Sequence, residues 1–301
     1  MRTSKDWITL IAKGYAMGCA DLVPGVSGGT VAFISGIYEE LVSTIAGLGP
    51  SMIKDLFSEG IIATWKKYNL GFLIALVFGI VSAVVTLAGL IHGLQETHPF
   101  QLRSFFFGLV VASTPLILKP VNAPAVQTIA LIIIGAIASA LITSQPPALQ
   151  SDAPIFLAIS GAIAICAMIL PGISGSFLLL ILGAYFSVIT ALKNLDLIRI
   201  AAFAGGVAIG LLLFSRILKL LIKKYKDATL SILAGVMLGA LGVLWPWKNN
   251  IEVLFTHSDG RKEWLTKNYL PELSFEIIEI FSWSIVGAVI LIILERIANK
   301  H

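Results

Sequence analysis

Apolar stretches separated by short polar segments dominate the chain. In the first half they cover roughly residues 7–22, 28–48, 69–93, 103–119 and 124–143, and in the second half roughly residues 153–170, 174–192, 197–222, 229–247 and 275–295. Many approach or exceed the ~20 helical residues that one membrane crossing needs. The pattern predicts an all-α integral membrane protein in which each half has about three transmembrane helices and two shorter segments that flank a Pro-Gly pair.

The same motif occurs once in each half. Residues 14–45 read GYAMGCADLVPGVSGGTVAFISGIYEELVSTI, and residues 161–192 read GAIAICAMILPGISGSFLLLILGAYFSVITAL. The two copies place glycine, cysteine, proline, serine and tyrosine at equivalent positions. The polar, proline-bearing stretch 143–154 separates the copies, so we expect two repeats within one membrane domain, over residues 1–148 and 149–301.

Composition supports the membrane assignment. Hydrophobic residues make up 57% and charged residues only 13% of the chain, and the mean hydropathy is +0.93. The formal net charge of +4 is explained by cytoplasmic lysines that face anionic lipid, so no nucleic-acid partner is expected. Cys19 and Cys166 lack metal-ligand spacing and are expected to pack helices. The sequence predicts no metal and no cofactor.

Two topologies are compatible with the Pro-Gly breaks. The segments around each break contain more residues than a single crossing needs, which favours a re-entrant helical hairpin over one broken helix. Each half then crosses the membrane an odd number of times, and the second repeat is inverted. With both termini in the cytoplasm, this arrangement places about twice as many Lys and Arg residues inside as outside, whereas parallel repeats show no bias. We therefore expect inverted-topology repeats.

Each break offers a binding site for an anion. Irregular backbone inside a membrane survives only within protein or beside a wet cavity, and matching breaks in two halves mark a transport site. A new helix begins after each break and presents free N–H groups, hydroxyls and closely approachable glycines. The predicted substrate-binding residues are Gly25, Ser27, Gly28, Gly29, Thr30, Gly172, Ser174, Gly175 and Ser176, with Pro24 and Pro171 as hinges. The alternative is a tight turn with ordinary N-caps and close helix packing.

Ionisable residues near the breaks suggest ion coupling. Asp21 lies just before the first break, and its repeat equivalent is Met168, so the acid is present once. An ionisable residue at membrane depth is costly unless paired or hydrated, and we expect Asp21 to couple transport to a proton or cation. A structural ion pair with Lys13 is the alternative. Glu39 is a second-rank coupling candidate, because solvated surface charge near the cytoplasmic interface explains it better.

Two arginines are candidate phosphate ligands. The planar guanidinium can bind two phosphate oxygens at once, and Arg103 and Arg216 each lie at the edge of or within an apolar segment. Interfacial snorkelling explains both positions equally well.

An enzyme is not expected. Gly25-Val26-Ser27-Gly28 matches the G-x-S-G pattern of intramembrane serine proteases, but the histidines lie in predicted loops or at the terminus, so the serine lacks a base.

The motifs at 21–41 (DLVPGVSGGTVAFISGIYEEL) and 169–185 (ILPGISGSFLLLILGAY) resemble the bacterial and archaeal polyprenyl-phosphate transporter family of the PopT type. The resemblance covers essentially the whole chain, with no departure in either motif. It implies a flippase in the bacterial cytoplasmic membrane that returns undecaprenyl phosphate from the outer to the inner leaflet for cell-wall glycan synthesis, with suspected proton or cation coupling. Polyprenyl phosphate and membrane lipids are then the partners, and homo-oligomerisation stays open.

The residues alone also allow other functions. One alternative is an ion-coupled carrier of a small soluble anion. A second alternative is a membrane protein that does not transport, such as a scaffold or a lipid-phosphate phosphatase.

Overall fold

The computed structural model describes residues 2–23, 25–148, 150–256, 262–272 and 275–298. The described part of the first half forms helices α1 (Ser4–Asp21), α2 (Gly28–Ile34), α3 (Tyr38–Gly47), α4 (Pro50–Glu59), α5 (Ile61–Lys67), α6 (Leu70–Thr97), α7 (Pro99–Leu118) and α8 (Ala125–Thr143). The described part of the second half forms α9 (Pro154–Ile169), α10 (Gly175–Ile181), α11 (Tyr185–Lys193), α12 (Leu197–Lys224), α13 (Lys226–Ala240), β1 (Lys248–Thr256), β2 (Lys262–Asn268) and α14 (Phe275–Ala298).

The two halves contain the same succession of helices. In the first half, α1, α2 and α3 surround the break and α6, α7 and α8 follow; in the second half, α9, α10 and α11 precede α12, α13 and α14. Helices α2 and α10 are each 7 residues long, and α6 and α12 are each 28 residues long. The first half adds the short helices α4 and α5, and the second adds the β1–β2 hairpin.

Helix pairing joins the two halves. Helix α1 packs along α6, and α9 packs along α12 in the same way, whereas α7 packs along α14 and α8 along α13. Small residues permit these close contacts. A Cβ atom added to Gly79 of α6 would lie 2.2 Å from the Ile11 carbonyl oxygen of α1, and one added to Gly108 of α7 would lie 1.9 Å from the Ser284 carbonyl oxygen of α14. The halves therefore interlock.

The chain is a multi-pass membrane protein. Among the described helices, α6, α7, α8 and α12 are long and apolar enough to cross a membrane, and α10 with α11 would add a fifth span if that pair, bent by 105°, were a single one. Helix α13 has 15 residues and spans only ~22 Å at 1.5 Å per residue. The apolar stretch 277–293 of α14 is also shorter than the ~20 helical residues of one full crossing. Three full crossings per half therefore stay a prediction.

The second arm of each predicted hairpin is not continuous. We expected apolar helices over 28–48 and 174–192, but α2 ends at Ile34 and α10 ends at Ile181. Gly36 has a φ of 73° and Gly183 has a φ of 74°, a left-handed conformation that favours glycine. The amides of Gly36 and the residue after it bond back to the carbonyl oxygens of Phe33 and Ala32 in a Schellman motif, and the second half repeats this pattern.

A small β-hairpin interrupts the otherwise helical chain. The expected extramembrane loop 248–274 contains strands β1 and β2, which pair antiparallel with Lys248 opposite Asn268. The expected helix over 229–247 ends at Ala240 and is followed by turns. Pro246 is also unfavourable for a helix that would extend to residue 247. The all-α assignment therefore holds for the membrane part but not for this loop.

Candidate substrate site at the paired helix breaks

The first break joins the end of α1 to the start of α2. Gly25 has a φ of 88°, which turns the chain sharply. Ser27 is the N-cap of α2, and its Oγ accepts a hydrogen bond of 3.1 Å from the Gly29 amide. The predicted hinge Pro24 lies outside the described residues.

Asp21 interacts with the start of α2. Its Oδ1 accepts a hydrogen bond of 2.7 Å from the Gly28 amide, and a Cβ atom on Gly28 would lie 2.6 Å from Oδ2. The alternative pair with Lys13 is wrong, because the Lys13 ammonium donates instead to the Ser35 carbonyl oxygen at 2.6 Å, at the end of α2. A carboxylate of the protein itself therefore occupies the position at the α2 N-terminus where a ligand anion was expected.

The second break has the same backbone shape but different side-chain chemistry. Gly172 has a φ of 94° in the turn between α9 and α10, and Pro171 is buried beside it. Among the described residues no side chain caps α10, because the Ser174 hydroxyl lies 2.9 Å from the Ser176 hydroxyl instead. Ser174 is buried, whereas Ser176 is exposed. The α10 N-terminus thus lacks the carboxylate and the hydroxyl cap of α2.

The structure brings the two breaks into direct contact. The Ser27 hydroxyl lies 3.0 Å from the Met168 carbonyl oxygen and 3.3 Å from that of Leu170, and it donates to these acceptors. The Thr30 hydroxyl oxygen accepts a hydrogen bond of 2.9 Å from the Gly172 amide. Ser27 and Thr30 are both 0% exposed. Two hydroxyls of the first repeat therefore bond to backbone groups of the second in a buried polar centre.

Helix α13 and the turn after it cover both breaks. A Cβ atom on Gly25 would lie 2.7 Å from Cγ1 of Val243, and one on Gly172 would lie 2.6 Å from Cα of Met237. Glycine is required at both positions because of this close approach as well as the positive φ. The polar centre is closed on this side.

Gln95 makes a polar contact near the first break that the sequence did not predict. Its side-chain amide donates to the Leu22 carbonyl oxygen at 3.1 Å, at the C-terminal end of α1. The predicted helix ended at residue 93, which placed Gln95 in a loop, but α6 continues to Thr97.

The structure places three other candidates away from the breaks. The guanidinium of Arg216 donates to the Ala46 and Leu48 carbonyl oxygens at 3.3 and 2.8 Å, at the C-terminal end of α3. Glu39 is at the start of α3 and forms an exposed ion pair of 2.8 Å with Lys226. Arg103 of α7 donates to a carbonyl oxygen of the loop after α13. None of the three has a described polar contact with the paired breaks.

Known proteins resemble this chain over most of its length. A family model described as undecaprenyl phosphate translocase-like matches residues 17–262, which include both breaks. The chain belongs to this family. It is similar to a polyprenyl-phosphate transporter of Vibrio cholerae serotype O1, with 43% identity over 266 residues that cover 88% of this chain and 86% of the relative. It is also similar to a polyprenyl-phosphate transporter of Staphylococcus aureus, with 31% identity over 258 residues, 80% of this chain and 86% of the relative. No solved structure matches the chain.

Proposed function

We propose that this protein returns undecaprenyl phosphate from the outer to the inner leaflet of the bacterial cytoplasmic membrane for reuse in cell-wall glycan synthesis, with proton or cation coupling. The names of its relatives support the substrate class. The observation that carries the mechanism is the hydrogen bond from the Gly28 amide to the Asp21 carboxylate. The neighbouring residue Ser27 donates a hydrogen bond to the Met168 carbonyl oxygen of the second repeat.

The paired breaks are the proposed phosphate site. Amides at helix N-termini and nearby hydroxyls are suitable donors for phosphate oxygens. In the described conformation the α2 donors are bonded within the protein, whereas α10 has no side-chain cap. The proposed ligands are Gly25, Ser27, Gly28, Gly29, Thr30, Gly172, Ser174, Gly175 and Ser176, with Pro24 and Pro171 as hinges.

Coupling follows from competition for one amide. A phosphate oxygen that binds the Gly28 amide must replace the Asp21 carboxylate there. Two anions repel each other strongly in a small buried site unless a proton or cation neutralises one of them. We therefore propose that Asp21 is neutralised when phosphate binds. Glu39 stays a second coupling candidate, because its ion pair with Lys226 links α3 to α13.

Contacts between the halves support the inverted topology. With inverted repeats, Glu39 and Lys226 lie on the cytoplasmic face, and Arg103 and Pro246 lie on the outer face. Both pairs are in contact. With parallel repeats, each pair would join opposite faces of the membrane. We propose inverted repeats with both termini in the cytoplasm, which expose the paired breaks to each side in turn.

The surface of the protein suits a lipid tail. Helix α6 exposes Val77, Phe78 and Val85, among other apolar side chains. A lipid phosphate can keep its tail in the bilayer while its head group crosses through the protein.

A flipping assay in proteoliposomes tests this function. A fluorescent polyprenyl phosphate is followed with and without a pH gradient, for wild type, for Ser27→Ala/Ser174→Ala, and for Ser58→Ala on the exposed helix α4 as a matched control. We expect wild type and Ser58→Ala to flip the lipid and the double variant to lose at least tenfold in rate. Equal rates for all three would reject the site. Uptake of labelled inorganic phosphate without lipid flipping would favour the soluble-anion carrier.

A further inference from the structure

The loop after α13 crosses the beginning of α7. The Trp245 ring meets the Phe107 ring edge-on, with centroids 5.9 Å apart, and the Arg103 guanidinium donates to the Pro246 carbonyl oxygen at 3.4 Å. Arg103 and Phe107 are one helical turn apart and therefore share a face of α7. Lys248 follows Pro246 closely and begins β1. This crossing brings the two cations of Arg103 and Lys248 to one place.

Both cations are half-buried. Arg103 donates to the Pro246 carbonyl group, and within the described ranges neither cation forms an ion pair. Burial and then the charge of Arg103 lower the pKa of Lys248 to about 8. Two neighbouring cations removed from water without a counter-ion are costly. An anion at this point would relieve both the desolvation and the mutual repulsion.

An aromatic pocket adjoins the cations. It has a volume of about 470 Å³ and is lined by Phe107, Leu241, Gly242, Trp245, Asn268, Tyr269 and Leu270. Phe107 is one turn from Arg103, and Asn268 pairs with Lys248 across the β-hairpin. The Trp245 indole N–H and the Asn268 side-chain amide are bonded to carbonyl oxygens at 2.9 and 2.8 Å, which leaves mostly apolar surface toward the pocket. A ligand for this place has an anionic head and an apolar body.

We propose that Arg103 and Lys248 form an outer-face capture site that binds the phosphate head group of an isoprenoid phosphate, with its first isoprene units in the adjoining aromatic pocket. The inference rests on the proposed function, to which it adds a binding step before the paired breaks. A phosphomonoester carries ~−1.5 to −2 charges near neutral pH, which matches two cations, whereas a phosphodiester lipid carries one. The guanidinium can bind two phosphate oxygens at once. The site therefore selects the monoester over bulk phospholipid.

Binding of farnesyl phosphate to the purified full chain in neutral detergent tests the proposal. The Ser27→Ala/Ser174→Ala background weakens phosphate binding at the proposed central site, so calorimetric titration reports mainly binding at the outer face. In this background we expect one binding site for farnesyl phosphate, a Kd at least tenfold higher with Arg103→Gln or Lys248→Gln, and an unchanged Kd with Lys267→Gln, an exposed lysine of β2. Lys248→Arg keeps the charge and is expected to keep the affinity, which separates charge from folding.

Other ligands identify what the site recognises. We expect inorganic phosphate to compete weakly, and farnesol and phosphatidylglycerol to compete poorly. Equal binding by Arg103→Gln/Lys248→Gln and its parent would overturn the capture site, as would equal binding of farnesol or displacement by equimolar phosphatidylglycerol. Because flipping is measured separately, loss of the capture site with intact flipping by the paired breaks would leave the proposed function standing. Absence of lipid flipping by the wild-type protein, with intact farnesyl phosphate binding, would instead reject only the proposed function.

Discussion

Asp21 combines two roles that substitution can separate. Its carboxylate accepts a hydrogen bond from the Gly28 amide, and its charge is the proposed coupling element. Asparagine keeps the acceptor oxygen and removes the charge. We expect Asp21→Asn to fold normally but to lose at least tenfold in flipping rate and all dependence on a pH gradient, measured in proteoliposomes.

The control for Asp21 is Asp55→Asn on α4, whose carboxylate bonds to Tyr68 at the surface. This variant is expected to flip like wild type. An Asp21→Asn protein that responds normally to the pH gradient would contradict the coupling role. If Glu39→Gln alone removed that response, the coupling role would pass to Glu39.

Thr30 links the two breaks through one hydroxyl. Valine has a similar shape but cannot accept the hydrogen bond from the Gly172 amide, and a buried donor without an acceptor costs about 1–3 kcal/mol. We expect Thr30→Val to lower the free energy of unfolding by this amount in a denaturant titration. Thr30→Ser keeps the hydroxyl and is expected to lose less. Equal stability of Thr30→Val and wild type would show that this contact between the breaks contributes nothing to stability.

At the scale of elements, the turns at Gly36 and Gly183, which end α2 and α10, depend on backbone conformation. A Cβ atom on Gly36 would meet no atom within 4 Å, yet the φ of 73° is left-handed, so an alanine there costs about 1–2 kcal/mol through strain alone. Gly89 of α6 also has open space around it but no positive φ. We expect Gly36→Ala to lower thermal stability and Gly89→Ala to keep or raise it.

Thermal melts of both glycine variants in the same detergent provide the comparison. Equal melting temperatures for Gly36→Ala and Gly89→Ala would mean that the end of α2 rearranges to accept a side chain.

At the scale of the whole molecule, the inverted topology predicts the sidedness of two exposed surface positions. Ser58 of α4 is expected on the cytoplasmic face and Asn249 of β1 on the outer face. In a Cys19→Ala/Cys166→Ala background, an impermeant maleimide added to intact cells should label Asn249→Cys but not Ser58→Cys, and inside-out vesicles should reverse this result.

Parallel repeats would place both positions outside, so labelling of Ser58→Cys in intact cells would reject the inverted arrangement. The contact between Lys119 and Glu295 agrees with inverted repeats, because that arrangement places both residues on the cytoplasmic face.

The sequence alone determined the membrane class, the repeat and the position of each Pro-Gly break, because apolar periodicity and helix-breaking residues act locally along the chain. The sequence also contained a signal for the turns that end α2 and α10, since Gly36 and Gly183 lie at equivalent positions of the two repeats. That signal alone does not predict a turn, because one glycine inside an apolar stretch is compatible with a continuous helix.

Only the tertiary structure decided which groups meet. The bond from the Gly172 amide to Thr30 joins residues far apart in sequence, and the choice of Ser35 over Asp21 as the partner of Lys13 depends on where α2 ends. The meeting of Arg103 with the loop before Lys248 depends in turn on α13 ending early and its following loop crossing α7. Such contacts follow from how helices of the two halves pack, and local sequence patterns do not encode that packing.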